Sequence, residues 1–124
     1  MVNTYKELRV YKNAIEGAQE VFKLTKEFPP DEKYSLTDQI RRSSRSVCAN
    51  IGEAWRKRRY PAAFIAKLND SEGEACETQV WIELAEKFGY LTAERAKRLD
   101  DIYDHILSQL VWMVNHSDVW AIKP

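Results

Sequence analysis

FIAKLNDSEGEACETQVWIELA, Phe64 to Ala85, is the stretch whose reading decides the fold. Phe64, Leu68, Ser71, Ala75, Thr78, Ile82 and Ala85 recur at alternating spacings of four and three, with Lys67, Asp70, Glu72, Glu74, Glu77 and Glu83 between them. A repeat of that period places the seven on one face of a helix and the charges on the others. Pro61 suits the first turn of this helix, where its missing N–H costs nothing. A face of this kind is stable only against other helices.

Working outward, Phe88-Gly89-Tyr90-Leu91-Thr92 reads as a glycine stop followed by a threonine N-cap. So short a link turns the next helix back antiparallel; that helix carries Leu99, Ile102, Ile106, Leu110 and Met113 and is expected to fray near Asn115. Upstream, a first helix is expected from about Thr4 to Glu27, buried along Leu8, Tyr11, Ile15, Ala18 and Phe22. Phe28-Pro29-Pro30-Asp31 ends it, because a proline pair cannot continue a helix. Ser35, with Asp38 three residues on, is the expected N-cap of a second helix reaching about Lys57. Four such helices joined by short links predict an all-α fold, an antiparallel up-down-up-down four-helix bundle over residues 1–115, with 116–124 as a short tail.

The chain has 124 residues, 44% hydrophobic and 31% charged, enough for one domain with a real core. No run approaches the roughly 20 apolar residues of a membrane span. MVNTYKELRVYK lacks the apolar core of a signal peptide. The expectation is a cytoplasmic protein without a membrane partner. Cys48 and Cys76 are isolated and read as free thiols.

Net charge is zero, yet Arg41 to Arg59 carries +6 and the remainder −6. On a helical wheel Ile40, Val47, Ile51, Ala54 and Trp55 of the second helix form the core arc. Arg41, Arg45, Arg56 and Arg59 fall together on the other side with Arg42 nearby, a stripe roughly 27 Å long if the helix persists to Arg59. Gly52 and Ala49 lie between the two arginine pairs and let a backbone or phosphate come close. Arg58 falls on the core side, which marks the helix as ended or the side chain as reaching past the bundle end. Two readings stay open: these cations pair with Glu72, Glu74, Glu77, Glu83 and Glu86 of the third helix, or they bind nucleic acid. Six of the seven are Arg, whose planar fork suits phosphate.

Apolar residues exceed one core face. Trp81, Leu84 and Phe88 form a second ridge on the third helix, and Leu107, Val111 and Trp112 widen the apolar arc of the fourth. These six are the expected self-association surface; the alternative is a monomer with a wide core.

An active site is not expected. His105 and His116 are about 16 Å apart along one helix, too far to share a metal ion. Asp101 and His105 lack a third ligand, and Glu74 and Glu77 lack the Glu-x-x-His partners of bundle metal sites. There is no glycine-rich phosphate loop, nucleophile elbow or HExxH, so the reading is a non-enzyme without metal or cofactor.

LRVYKNA (8–14), FPPDEKYSLTDQIRRSSRSVCANIGEAWRKRR (28–59) and SEGEACETQVWIELAEKFGYL (71–91) resemble the bacterial four helix bundle protein family, also called the 23S rRNA intervening-sequence protein family. The likeness covers roughly residues 5–112. It implies a ring-shaped homopentamer of up-and-down bundles. It also implies a relationship to the accessory variability proteins of diversity-generating retroelements, which bind nucleic acid and a reverse transcriptase through a positive surface. The expected binding residues are those of the basic run on the second helix, Arg41, Arg42, Arg45, Arg56, Lys57, Arg58 and Arg59. Many members read Asn-Ile-Ala-Glu-Gly where this chain has Asn50-Ile51-Gly52-Glu53-Ala54, which leaves the end of the second helix open. A protein-interaction scaffold that binds no nucleic acid is the alternative function.

Overall fold

A computed structural model describes residues 2–122. Four long helices carry the chain: α1 (Arg9–Thr25), α2 (Leu36–Arg56), α3 (Pro61–Lys87) and α4 (Ala93–Asn115), followed by one helical turn, α5 (Ser117–Trp120). Short 3-10 turns lie at Tyr5–Glu7 and Pro30–Glu32. Cross-helix bonds run in opposite chain directions. On α1 and α4, Asn13 meets Gln109 and Glu20 meets Arg98; on α2 and α3, Arg42 meets Glu74 and Val47 meets Ser71.

All seven seam residues of α3 are buried. The seam packs on α2 through small and hydroxylated residues, which let the two helices approach closely. The Ser43 and Thr78 hydroxyls share a hydrogen bond at 2.8 Å, and Ser71 Oγ donates to the Val47 carbonyl at 3.0 Å. Each buried hydroxyl on this seam is thus satisfied, as a dry interior requires.

Gly89 takes φ of +82°, the left-handed backbone that glycine tolerates, and the Thr92 hydroxyl accepts from the Arg95 N–H. The start of α2 differs from its sequence reading. The Ser35 side chain makes no capping bond; Glu32 Oε1 accepts from the Leu36 N–H instead, while Glu32 Oε2 accepts from the Tyr90 hydroxyl at 2.8 Å. One carboxylate therefore caps α2 and ties it to the α3–α4 link.

The first helix also departs from expectation. Leu8 is extended and separates the 3-10 turn from α1, whose buried line is Val10, Ala14, Gly17, Val21 and Thr25. Tyr11, Ile15 and Ala18 are half-buried shoulders, and Phe22 is 44% exposed beneath the Lys26 and Arg41 side chains. The deepest line of α1 is made of small residues because Tyr103 of α4, fully buried, fills the space opposite Gly17. Ile102, expected in the core, is only half-buried, and Tyr103 takes its place.

The last described residues pack on the bundle. The Trp55 and Trp120 rings meet at 6.4 Å, and the Ile122 N–H donates to the Arg58 carbonyl. Residues 116–122 of the expected tail therefore close the end of the bundle where α2 turns into α3, and residues 123–124 lie outside the described residues.

Gly52 and Gly73 lie inside helices, and neither needs to be glycine for space. A Cβ at Gly73 would meet nothing within 4 Å, and one at Gly52 would make an ordinary 3.7 Å contact with the Tyr5 ring. Gly73→Ala is expected to stabilise the fold by about 0.5–1 kcal/mol, seen as a higher urea midpoint. A lower midpoint would mean that this face of α3 is covered by another surface.

Candidate nucleic-acid interface

α2 ends at Arg56, so the stripe on the helix spans residues 41 to 56, roughly 22 Å at helical rise, and not the longer run to Arg59. Lys57 is the C-cap, and the Tyr60 N–H closes a turn onto the Lys57 carbonyl before Pro61 opens α3. The seven cations of this region then divide into two groups.

Three are engaged within the fold. Arg41 is half-buried; its Nε donates to the Thr25 hydroxyl at 2.8 Å and its guanidinium lies 4.9 Å from the Phe22 ring centre. Arg42 donates to Glu74 at 2.8 Å and to Glu77, and Glu77 also accepts from the Trp81 indole. Burial pulls the Arg42 pKa down, but its bonds to Glu74 and Glu77 and their charges outweigh that and leave it raised. Arg58 folds back on Trp55, its guanidinium 3.4 Å from the ring centre and its Nε donating to the Trp55 carbonyl. Burial lowers its pKa. The helix has ended before Arg58, with Lys57 as its C-cap.

Arg45, Arg56, Lys57 and Arg59 are exposed, and their side chains make no ion pair or hydrogen bond to another described residue. Arg45 and Arg56 stand at the two ends of an open groove of about 450 Å³. Its walls include Ala49 and Gly52 on α2 and the rings of Tyr5 and Tyr11, which meet edge to face at 5.0 Å. Glu53 is the one acid on this groove and is held by Lys67 at 2.8 Å. Cys48 closes the floor; burial pushes its thiol up to about 11, so it is uncharged at neutral pH. The sequence reading did not connect either tyrosine with the arginines. Tyr11 was placed in the core, and only the fold brings the segment before α1 onto α2.

Negative charge collects elsewhere. Glu83, Glu86 and Asp100 line a groove between α3 and α4, where burial and then the neighbouring Asp104 and Asp101 raise the Asp100 carboxyl above its ordinary range. Among the described residues no three His, Cys, Asp or Glu side chains are grouped to hold a metal ion. No described helix is long and apolar enough to cross a membrane.

The six residues read as a self-association surface do not share one face. Trp81 bonds Glu77 on the α2 side of α3, whereas Trp112 lines a groove with Arg9 and Val10 on the α1 side of α4. Phe88, Val111 and Trp112 are about half exposed, and Trp81, Leu84 and Leu107 are half-buried.

A model of the family described as 23S rRNA-intervening sequence protein matches residues 6–111. The chain belongs to that family. The match spans all of α1, α2 and α3 and most of α4, and takes in every cation described above and the groove apart from Tyr5, which stands one residue before it. A solved structure from Bacteroides thetaiotaomicron, described as a protein of unknown function from the S23 ribosomal protein family, is similar to this family member. The two are 32% identical with a TM-score of 0.77, over 85% of this chain and 97% of that one. No curated protein matches the chain.

Proposed function

We propose that the protein is a non-catalytic, self-associating helical bundle that binds nucleic acid through the basic end of α2. The observation that carries this reading is the set of unpaired cations Arg45, Arg56, Lys57 and Arg59. The acid-rich face of α3 is available to α2, and Arg42 uses it, yet these four side chains pair with none of the described residues. Cations held apart from acids cost self-repulsion that a polyanion relieves. RNA is the favoured polyanion, because the family takes its description from an intervening sequence of 23S rRNA. Half-exposed Phe88, Val111 and Trp112 support assembly, and a ring of copies would multiply a weak contact through effective concentration. A reverse transcriptase is a further partner by the family's relationship to retroelement accessory proteins.

Four phosphate contacts on a single strand give a plot of log affinity against log salt with a slope of about −3 per subunit. Anisotropy of a labelled RNA titrated from about 0.05 M salt upward reads this slope. Salt-independent binding, or none at the lowest salt, would rule the function out. A scaffold for protein partners would then remain.

A further inference from the structure

The groove between Arg45 and Arg56 combines features that duplex binding by charge does not need. Its walls are aromatic, from Tyr5, whose ring sits over Gly52, and from Tyr11, and its α2 side is kept low by Ala49. Its single acid is neutralised by Lys67, and the Cys48 thiol below it carries no charge. A free guanidinium at each end flanks an uncharged centre.

We propose that this groove accepts one unstacked base of a single-stranded nucleic acid against Tyr5 and Tyr11, with the flanking phosphates on Arg45 and Arg56. The inference rests on the nucleic-acid reading above and narrows it to single strands, loops or bulges in preference to duplex. A base inside a duplex offers no free face, whereas an unstacked base gains from an aromatic ring whatever its identity. The arginines are about 11 residues apart along α2, roughly 16 Å, so one base and the phosphates around it fit between them. The two guanidiniums favour an anionic partner over a neutral peptide, and the aromatic wall between them favours a base over the side chains of an acidic peptide. Two positions test the slot without touching the cations. Tyr5→Leu removes the aromatic wall, and Tyr5→Phe keeps the ring. Ala49→Leu fills the groove from an exposed site on α2 with a good helix former.

The experiment measures the full-length protein against a fluorescein-labelled oligouridine of about 20 nucleotides and a mixed-sequence RNA duplex of equal length, near 0.1 M salt. The single strand is expected to bind more tightly than the duplex. Tyr5→Leu and Ala49→Leu should each weaken single-strand binding by about tenfold, leave the duplex within twofold and leave the salt slope unchanged. Tyr5→Phe should match the wild type. Thermal melts check folding, and if Tyr5→Leu is unfolded the Ala49→Leu result decides. Equal loss for both probes, no loss for either, or tighter duplex binding overturns the base slot. In the second case a binding defect in Arg45→Glu/Arg56→Glu would leave the nucleic-acid reading standing. Altered particle mass of Tyr5→Leu by light scattering would overturn the slot in favour of a second copy of the chain.

Discussion

Gly17→Ala is expected to destabilise the fold by about 1–3 kcal/mol, although alanine is the better helix former. Alanine inside a helix ordinarily gains about 0.5–1 kcal/mol over glycine. At position 17, however, the new Cβ would lie 2.8 Å from Tyr103 Oη and 2.9 Å from Cζ. Tyr103 is fully buried, so its ring cannot swing aside into solvent, and relief requires α1 and α4 to move apart. The sign is thus opposite to that at Gly73, where the added carbon meets nothing. Urea denaturation of the two variants side by side checks both. A Gly17→Ala protein as stable as the wild type would show that the α1–α4 spacing is soft.

The same contact has a second readout. The Tyr103 hydroxyl lies beside Ser44, but the Ser44 hydroxyl donates to the Arg41 carbonyl, and no hydrogen bond of good geometry reaches Tyr103 Oη among the described residues. Burial accordingly raises the Tyr103 pKa far above the phenol range. Tyr103→Phe deletes a polar atom with nothing to satisfy it and is expected to be neutral or stabilising by up to about 1 kcal/mol. It also removes the nearest atom to the alanine carbon. Gly17→Ala should therefore cost less in the Tyr103→Phe background, a coupling of at least about 0.5 kcal/mol. Rescue stays partial because Cζ remains.

These contrasts show what a one-dimensional pattern can carry. The α3 seam is legible because a narrow buried line with acids on both sides leaves little ambiguity of face, and all seven residues are buried. On α1 the buried line contains Ala14, Gly17 and Thr25, small or polar residues, while the larger Ile15 and Phe22 flank it. A wheel weighted by hydrophobicity therefore rotates α1 by about one residue, since the bulk that fills the space belongs to Tyr103, over 80 residues away in the chain. The candidate site divides in the same way. Its charge was visible as a run, but which guanidiniums are free was not. Arg42 finds its acids 32 and 35 residues away, and Arg58 finds an indole because the helix stops two residues before it. Sequence spacing reports neither.

That division yields the second large effect, a separation of stability from binding within one helix. Arg42→Ala is expected to lower stability by about 1 kcal/mol, because Glu74 and Glu77 lose their shared cation while remaining partly solvated. Its guanidinium is already committed to the fold, so binding of a labelled single-stranded RNA should fall by no more than about threefold through loss of general field. Arg45→Ala/Arg56→Ala should behave in reverse. Neither side chain contacts a described neighbour through a polar bond, so the urea midpoint should stay within about 0.5 kcal/mol of the wild type. Two lost phosphate contacts on a single strand, each worth about 0.7 in the salt exponent, reduce affinity by about 25-fold at 0.1 M salt and flatten the slope by about 1.4. The wild type and these two variants, each measured for both stability and salt-dependent affinity, distinguish a binding face from a merely solvated one. If Arg42→Ala weakens binding as much as the double variant, the Arg42–Glu74–Glu77 cluster opens on the nucleic acid and the paired arginine belongs to the surface. If instead the double variant binds normally, Arg45 and Arg56 only solubilise α2, and the interface must lie elsewhere on the bundle.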